Sequence, residues 1–190
     1  MELTHFTQQT FRSLMDCFAR PGKKEALQTL HSVEGLYPET LSVLVTLLDG
    51  EVSFQVLGED ERIQRELRAW TGAKVSDFNA ADFIVVPAQA KREQVLDALE
   101  VAKIGNLIDP QQSATFVLEL TQQQAVTVYE LKGPGIQQSE VVELALSPDI
   151  LQLRAKRNRE FPLGIDMILI DEAGKVLALP RTTIIEEVKN

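Results

Sequence analysis

The chain has 190 residues, 44% of them hydrophobic and 25% charged, with a formal net charge of −9. That is enough chain for one domain with a real core, so we expect a single domain over residues 1–190. The acidic balance argues against a nucleic-acid binder, which needs a basic face for phosphates, and against docking on an anionic membrane.

One cysteine, Cys17, rules out an intramolecular disulfide and fits a reducing compartment. The start, MELTHFTQQT, lacks the basic and apolar stretches of a signal peptide. The most apolar run, LSVLVTLL at 41–48, is far too short to span a bilayer. The expectation is a soluble cytoplasmic protein.

In chain order, TQQTFRSLMDCFARPG predicts a helix with Phe11, Leu14, Met15 and Phe18 on one stripe, stopped by Pro21-Gly22. KEALQTL suits a short strand. Residues 39–48 suit a buried helix, and Asp49-Gly50 a turn. VSFQVLG alternates as a strand does. ERIQRELRAWTG predicts an amphipathic helix with Ile63, Leu67 and Trp70 inward and Gly72 as its C-terminal cap.

FIVVP at 83–87 is a short buried strand, and residues 91–103 form a further helix. SATFVLEL and AVTVYEL are expected as neighbouring strands, the second broken by Gly133-Pro134-Gly135. SEVVELAL is a third strand. Ser147 and Pro148 open a helix through SPDILQLRAKRNR. A hairpin over 161–183 closes the chain. Helices and strands interleave early and strands follow one another late. That pattern predicts an α/β fold, a three-layer sandwich with a mixed central sheet.

The hairpin carries charge at one end. With its turn centred on Glu172-Ala173, residue i faces residue 345 − i, so Gly164 faces Arg181 and Asp166 faces Leu179. Asp166 and Arg181 then become diagonal neighbours on one face. One reading is a structural ion pair that fixes the strand end. The other is an anion site, in which Arg181, Thr182 and Thr183 offer donors to a phosphate or phosphonate.

Elsewhere the signals are thin. His5 and His31 sit in no metal-ligand spacing, and Cys17 has no adjacent base. LKGPGIQQ does not form a phosphate loop, because a strand and not a helix follows it. RAKRNR places Arg154, Lys156, Arg157 and Arg159 within six residues. They complement a helix C-terminus or form a patch for an acidic partner. No Ser/His/Asp set and no acid–base carboxylate pair is present. A self-contained catalytic constellation is therefore not expected. A stand-alone phosphonate- or nucleotide-binding protein, or a small-molecule enzyme acting as a homodimer, is the competing possibility.

Four blocks carry a family resemblance: TFRSLMDCFARPG, GPGI at 133–136, FPLGIDMILI at 161–170 and LALPRTT at 177–183. In this order they resemble the PhnH family, the H subunits of the bacterial carbon–phosphorus lyase machinery. One segment departs from the family pattern. Where Pro-Glu-x-Gly-Ala-Thr is usual, residues 110–115 read PQQSAT, so Gln111 replaces the glutamate and Ser113 the glycine.

The resemblance implies a fold similar to the large domain of pyridoxal-phosphate-dependent transferases, without the cofactor site and with no cofactor. It implies a homodimer when alone and assembly with the G, I and J subunits. That assembly forms α-D-ribose 1-methylphosphonate 5-triphosphate from ATP and alkylphosphonate. It also brings Arg12 and Arg20, both in a matched block, beside Arg181 as candidates for anion or partner contact.

Overall fold

The computed structural model describes residues 3–29, 31–58 and 60–188. Among these described residues, five helices and ten strands alternate in two blocks. The first holds α1 (Leu3–Ala19), β1 (Glu25–Ala26), α2 (Pro38–Leu47), β2 (Ser53–Val56), α3 (Glu61–Thr71), β3 (Lys74–Val75), β4 (Phe83–Val86), α4 (Arg92–Val101) and β5 (Thr115–Glu119). The second holds β6 (Thr127–Lys132), β7 (Glu140–Leu144), α5 (Pro148–Arg157), β8 (Asp166–Ile170), β9 (Lys175–Leu179) and β10 (Ile184–Glu187).

Seven strands form one mixed sheet in the order β1-β9-β8-β5-β4-β2-β3. Pairings among β3, β2, β4, β5 and β8 are parallel, while β9 runs against both β8 and β1. The central strands FIVV, TFVLE and DMILI are almost continuously apolar because both faces are covered. On one face, Val85, Val117, Ile168 and Ala178 pack with Leu14, Leu44, Ile63 and Leu67 of α1, α2 and α3. On the other, Ile84, Phe116, Met167 and Leu177 pack with Leu99 of α4, Leu151 of α5 and Leu131 of a small sheet. The mixed α/β architecture expected from the element order is therefore present.

The expected adjacency of the two strands after α4 is corrected. Both flanks of β5 are taken by β4 and β8, and β6 instead lies between β10 and β7 in a separate three-stranded sheet. Burial explains the separation. Four of the five β5 residues are buried, whereas β6 buries only Tyr129 and Leu131 and leaves Val128 exposed between more polar positions. One-sided burial suits a sheet that lies over the main one.

The first helix is also turned from its expected face. Its buried stripe is Phe6, Thr10, Leu14 and Cys17, while Phe11 and Met15 are 48% and 51% exposed. The helix begins earlier than its sequence pattern suggests, and Phe6 anchors the inward face. Helix α3 ends as expected, with Gly72 closing it in the left-handed region, and Asp60, which the sequence reading did not single out, caps its first turn. Trp70 lies at its rim, 38% exposed, with its ring 4.7 Å from that of His31.

Candidate functional site

The closing hairpin forms, but one residue out of the expected register. Met167 faces Leu179 and Ile170 faces Val176, so paired numbers sum to 346. The loop has three residues, Glu172 to Gly174, with Gly174 at φ 71. A loop of that length with a left-handed final residue is favoured by glycine and shifts the register by one. In a continued ladder this shift would send Asp166 and Arg181 to opposite faces.

They meet nevertheless, because the chain leaves the sheet at Pro180. The Thr183 N–H donates to the Pro180 carbonyl at 2.8 Å, closing a turn around Arg181. The backbone N–H of Arg181 then donates to Asp166 Oδ1 at 2.6 Å. Its guanidinium folds back onto the same carboxylate, Nε lying 3.1 Å from Oδ2 with Nη2 also on Oδ2. The two side chains are only 18% and 15% exposed.

Arg181 also reaches across to the loop before β5. Nη1 donates to the Pro110 carbonyl at 2.8 Å, and Nη2 to Ser113 Oγ at 2.5 Å. A guanidinium has five N–H donors. Nε, one on Nη1 and both on Nη2 are engaged, which is four of the five. The arginine thus ties the exit of the hairpin to the entry of β5. Ser113 supplies one of these ties.

Gly164 lies beneath the clamp; a Cβ there would stand 2.7 Å from Asn158 Oδ1 and 3.2 Å from Arg181 Cβ. Asn158, just past α5, receives the Ile165 N–H at 2.7 Å and donates to the Ile165 carbonyl at 3.0 Å. Gly133 abuts the Thr182 carbonyl, and Gly135 the Ala19 carbonyl and the Pro21 ring. The RPG, GPG, FPLGID and PRTT blocks, far apart in sequence, therefore converge. Gly133 and Gly135 sit where two backbones touch, and Gly22 and Gly164 where a neighbouring side chain closes over the chain.

Of the other candidates, Thr183 is 3% exposed and its hydroxyl has no partner among the described residues. Thr182 is half-buried in the same turn. Arg154 corrects the idea of a four-cation surface patch. It turns inward to 2% exposure and donates to the carbonyls of Leu179 (3.0 Å), Pro180 (2.5 Å) and Thr183 (3.3 Å). Burial pulls its pKa down to about 10, opposed by the charge of Asp166 and reinforced by that of Arg181. A position one helical turn before the cations at the end of α5 faces the core with Ile150 and Leu151.

Arg157 hydrogen-bonds the Ala102 carbonyl, Lys156 pairs with Glu100 at 3.5 Å, and Arg159 is exposed. Arg20 pairs with Asp16, and Arg12 is exposed on α1. Among the described residues, no hydrogen bond or ion pair joins Arg12 or Arg20 to Arg181. Cys17 is fully buried and its thiol is pushed up to about 11, chiefly by burial, as suits a packed side chain rather than a nucleophile.

Sequence reasoning missed Glu119 and misplaced Arg154. Glu119, 3% exposed at the carboxyl end of β5, receives the N–H groups of Tyr37 (2.6 Å) and Ala88 (2.9 Å). Burial raises its pKa. A glutamate inside an otherwise apolar strand, TFVLE, was the available signal. Beyond it, at the carboxyl ends of β5 and β8, lies a cleft of about 200 Å³ bordered by Lys24, Thr121, Glu143, Glu172 and Lys175. No described helix is long and apolar enough to cross a membrane.

Comparison with known proteins bears out the family resemblance carried by the four blocks. A family profile described as bacterial phosphonate metabolism protein (PhnH) matches residues 2–186. A protein of Stutzerimonas stutzeri, named as a candidate C-P lyase subunit, HtxG, is 32% identical over 181 residues, covering 93% of this chain and 84% of that protein. The alpha-D-ribose 1-methylphosphonate 5-triphosphate synthase subunit PhnH of Rhizobium meliloti is 31% identical over 183 residues, covering 94% of this chain and 90% of its own. The chain belongs to the PhnH family of bacterial phosphonate metabolism proteins.

Proposed function

We propose that this chain is a subunit of a carbon–phosphorus lyase complex in phosphonate catabolism. Its place is the formation of α-D-ribose 1-methylphosphonate 5-triphosphate from ATP and alkylphosphonate. The observation that carries this reading is the end-to-end match, over more than nine-tenths of the chain, to relatives named as subunits of that machinery. In this reading the chain acts as one domain in the cytoplasm, forms a homodimer alone and joins the G, I and J subunits in the working complex. Its seven-stranded mixed sheet with a single antiparallel member, β9, is compatible with the family's likeness to the large domain of pyridoxal-phosphate-dependent transferases.

Within that role, Arg181 and Asp166 serve as a structural clamp. An anion would have to compete with Asp166, Ser113 and the Pro110 carbonyl for donors that are already engaged. The chain would thus contribute a fixed surface to the assembly, with its chemistry shared with or carried by partner subunits. Co-expression of the tagged chain with the G, I and J subunits of its own genome tests this, with the mass of the eluted particle as readout. A stoichiometric complex is expected. A lone dimer, with every partner soluble in the same cells, would overturn the assembly role.

A further inference from the structure

Two neighbouring strands of the main sheet send the chain in opposite directions. From β2 it crosses one face through α3 to β3, and from β4 it crosses the other face through α4 to β5, on the opposite side of the β2–β4 pair. The winding therefore reverses between the carboxyl ends of β2 and β4. Connections that part at such a point leave a crevice, and open α/β sheets bind small ligands there. The Leu57 N–H donates to the Val85 carbonyl at 2.8 Å, which holds the two strand ends together.

A groove of about 460 Å³ opens beside this point, ample for a small molecule. One wall is Leu57 and Gly58, the first residues after β2, with Phe78 from the loop after β3. The other is a single face of α4, where Gln94, Asp97, Ala98 and Val101 follow helical spacing. Leu57 and Ala98 are buried, Phe78 is half-buried and Val101 is 52% exposed.

The polar groups of the groove are specific in kind. Gln94 Oε1 receives the Lys91 N–H at 3.1 Å, which fixes the amide and leaves its NH2 group as a donor. Among the described residues, no group of the chain bonds that NH2 or the carboxylate of Asp97, one helical turn on. A donor and an acceptor one turn apart match a ligand with an acceptor beside a donor. The ring nitrogen N7 and the 6-amino group of an aminopurine have that arrangement. The apolar lining suits its flat body.

The surroundings disfavour a phosphate as the bound group. Lys91 and Arg92 stand against Glu93, Asp97 and Glu100 along α4, Asp77 adjoins Phe78, and Arg92 is already paired with Asp149 and Glu93. An alkylammonium would meet Asp97 but leave the Gln94 amide without an acceptor.

We infer that this groove binds the base of an amino-substituted purine nucleoside. Asp97 accepts from the amino group, Gln94 donates to the adjacent ring nitrogen, and Phe78 and Val101 pack against the ring. The inference goes beyond the assembly role proposed above and does not depend on it.

Calorimetric titration of the full chain with adenosine and with inosine tests it, using the parent, Asp97→Asn and Val101→Asp. Inosine keeps N7 but carries a carbonyl where adenosine has its amino group, so Asp97 faces a second acceptor. The parent should bind adenosine about tenfold or more tightly than inosine. Asp97→Asn should lose that preference, because an amide offers either a donor or an acceptor. Val101→Asp should weaken both nucleosides. Both side chains are exposed, so the melting temperatures of the free variants should match the parent.

A parent that binds neither nucleoside would overturn the inference. If Val101→Asp then also lost the companion subunits in co-expression, the groove would belong to a protein contact, and the assembly role would stand without the ligand. Binding that both variants leave unchanged would place the nucleoside elsewhere on the chain and overturn the inference equally. An adenosine preference that survives Asp97→Asn would remove Asp97 as the reader of the amino group and defeat the assignment.

Discussion

The two ends of the parallel strands hold buried carboxylates in opposite ways. At the amino ends, Asp166 opens β8 and is matched by the Arg181 guanidinium. At the carboxyl ends, Glu119 closes β5 and is held by two backbone N–H groups, with no cation within ion-pair distance among the described residues. Open α/β sheets usually bind ligands at the carboxyl ends of their strands. Here the four blocks that carry the family resemblance gather at the amino end. Their glycines serve close approach, Gly133 and Gly135 of backbone to backbone and Gly22 and Gly164 of side chain to backbone, which indicates that a fixed shape is being maintained there.

Deleting the cation should expose this contrast most strongly. Arg181→Ala leaves Asp166 without its guanidinium, and leaves Pro110 and Ser113 without a donor. Removing one partner of a buried pair costs about 3–5 kcal/mol. Residual exposure of 18% and 15% places the expected loss near the lower end, about 3 kcal/mol, read from urea unfolding. Arg181→Lys should recover only part of it, because a single ammonium cannot reproduce the fork to Asp166, Ser113 and Pro110. An unchanged unfolding midpoint in Arg181→Ala would show that the clamp does not stabilise the fold and would restore Arg181 as a ligand residue.

The carboxyl end should respond to pH instead. Burial raises the folded-state pKa of Glu119 above its ordinary 4.5, so the folded protein holds that proton more tightly than the unfolded chain. Stability from this group is full below the unfolded value and is lost as pH rises through the folded one. We expect the parent's stability to fall with rising pH above about 4.5 from this cause, and Glu119→Gln to remove that part of the slope. Parallel pH profiles for the two proteins would show that the two backbone donors hold Glu119 ionised as readily as water does.

Much of this was legible in the residue order, for physical reasons that differ by element. Helix α3 announced itself through a 3.6-residue period and Gly72, both local features. The mixed α/β class followed from interleaved patterns. The buried face of α1 was misread because Phe11, Leu14, Met15 and Phe18 match helical spacing as well as Phe6, Thr10, Leu14 and Cys17 do. Only tertiary contact with α2 and β9 chooses between them.

The separation of β6 from β5 is likewise a tertiary fact, since both segments have strand character. The Asp166–Arg181 pair was anticipated from a register one residue out. The contact formed through a turn at Pro180 that no ladder arithmetic contains. Arg154 looked like one of four helix-end cations, and only the packing of α5 shows that it points at backbone carbonyls.

The smallest effect separates the two roles of the segment 110–115. Ser113 is 6% exposed, lies in an isolated antiparallel bridge with Ile104 and accepts one hydrogen bond from Arg181. Ser113→Gly removes the acceptor. One hydrogen bond to a charged group is worth about 1.5–3 kcal/mol, but the vacated Nη2 donor keeps Asp166 and water can replace the hydroxyl. We expect about 1 kcal/mol of destabilisation. In the Arg181→Ala background the same change should cost less, since no donor remains to be deprived, and a double-mutant cycle should recover the difference as coupling. Full additivity would mean that Ser113 stabilises the entry to β5 without help from the clamp. The two loops that carry Ile108 and Phe161 would then be fixed by separate means, and one could loosen without the other.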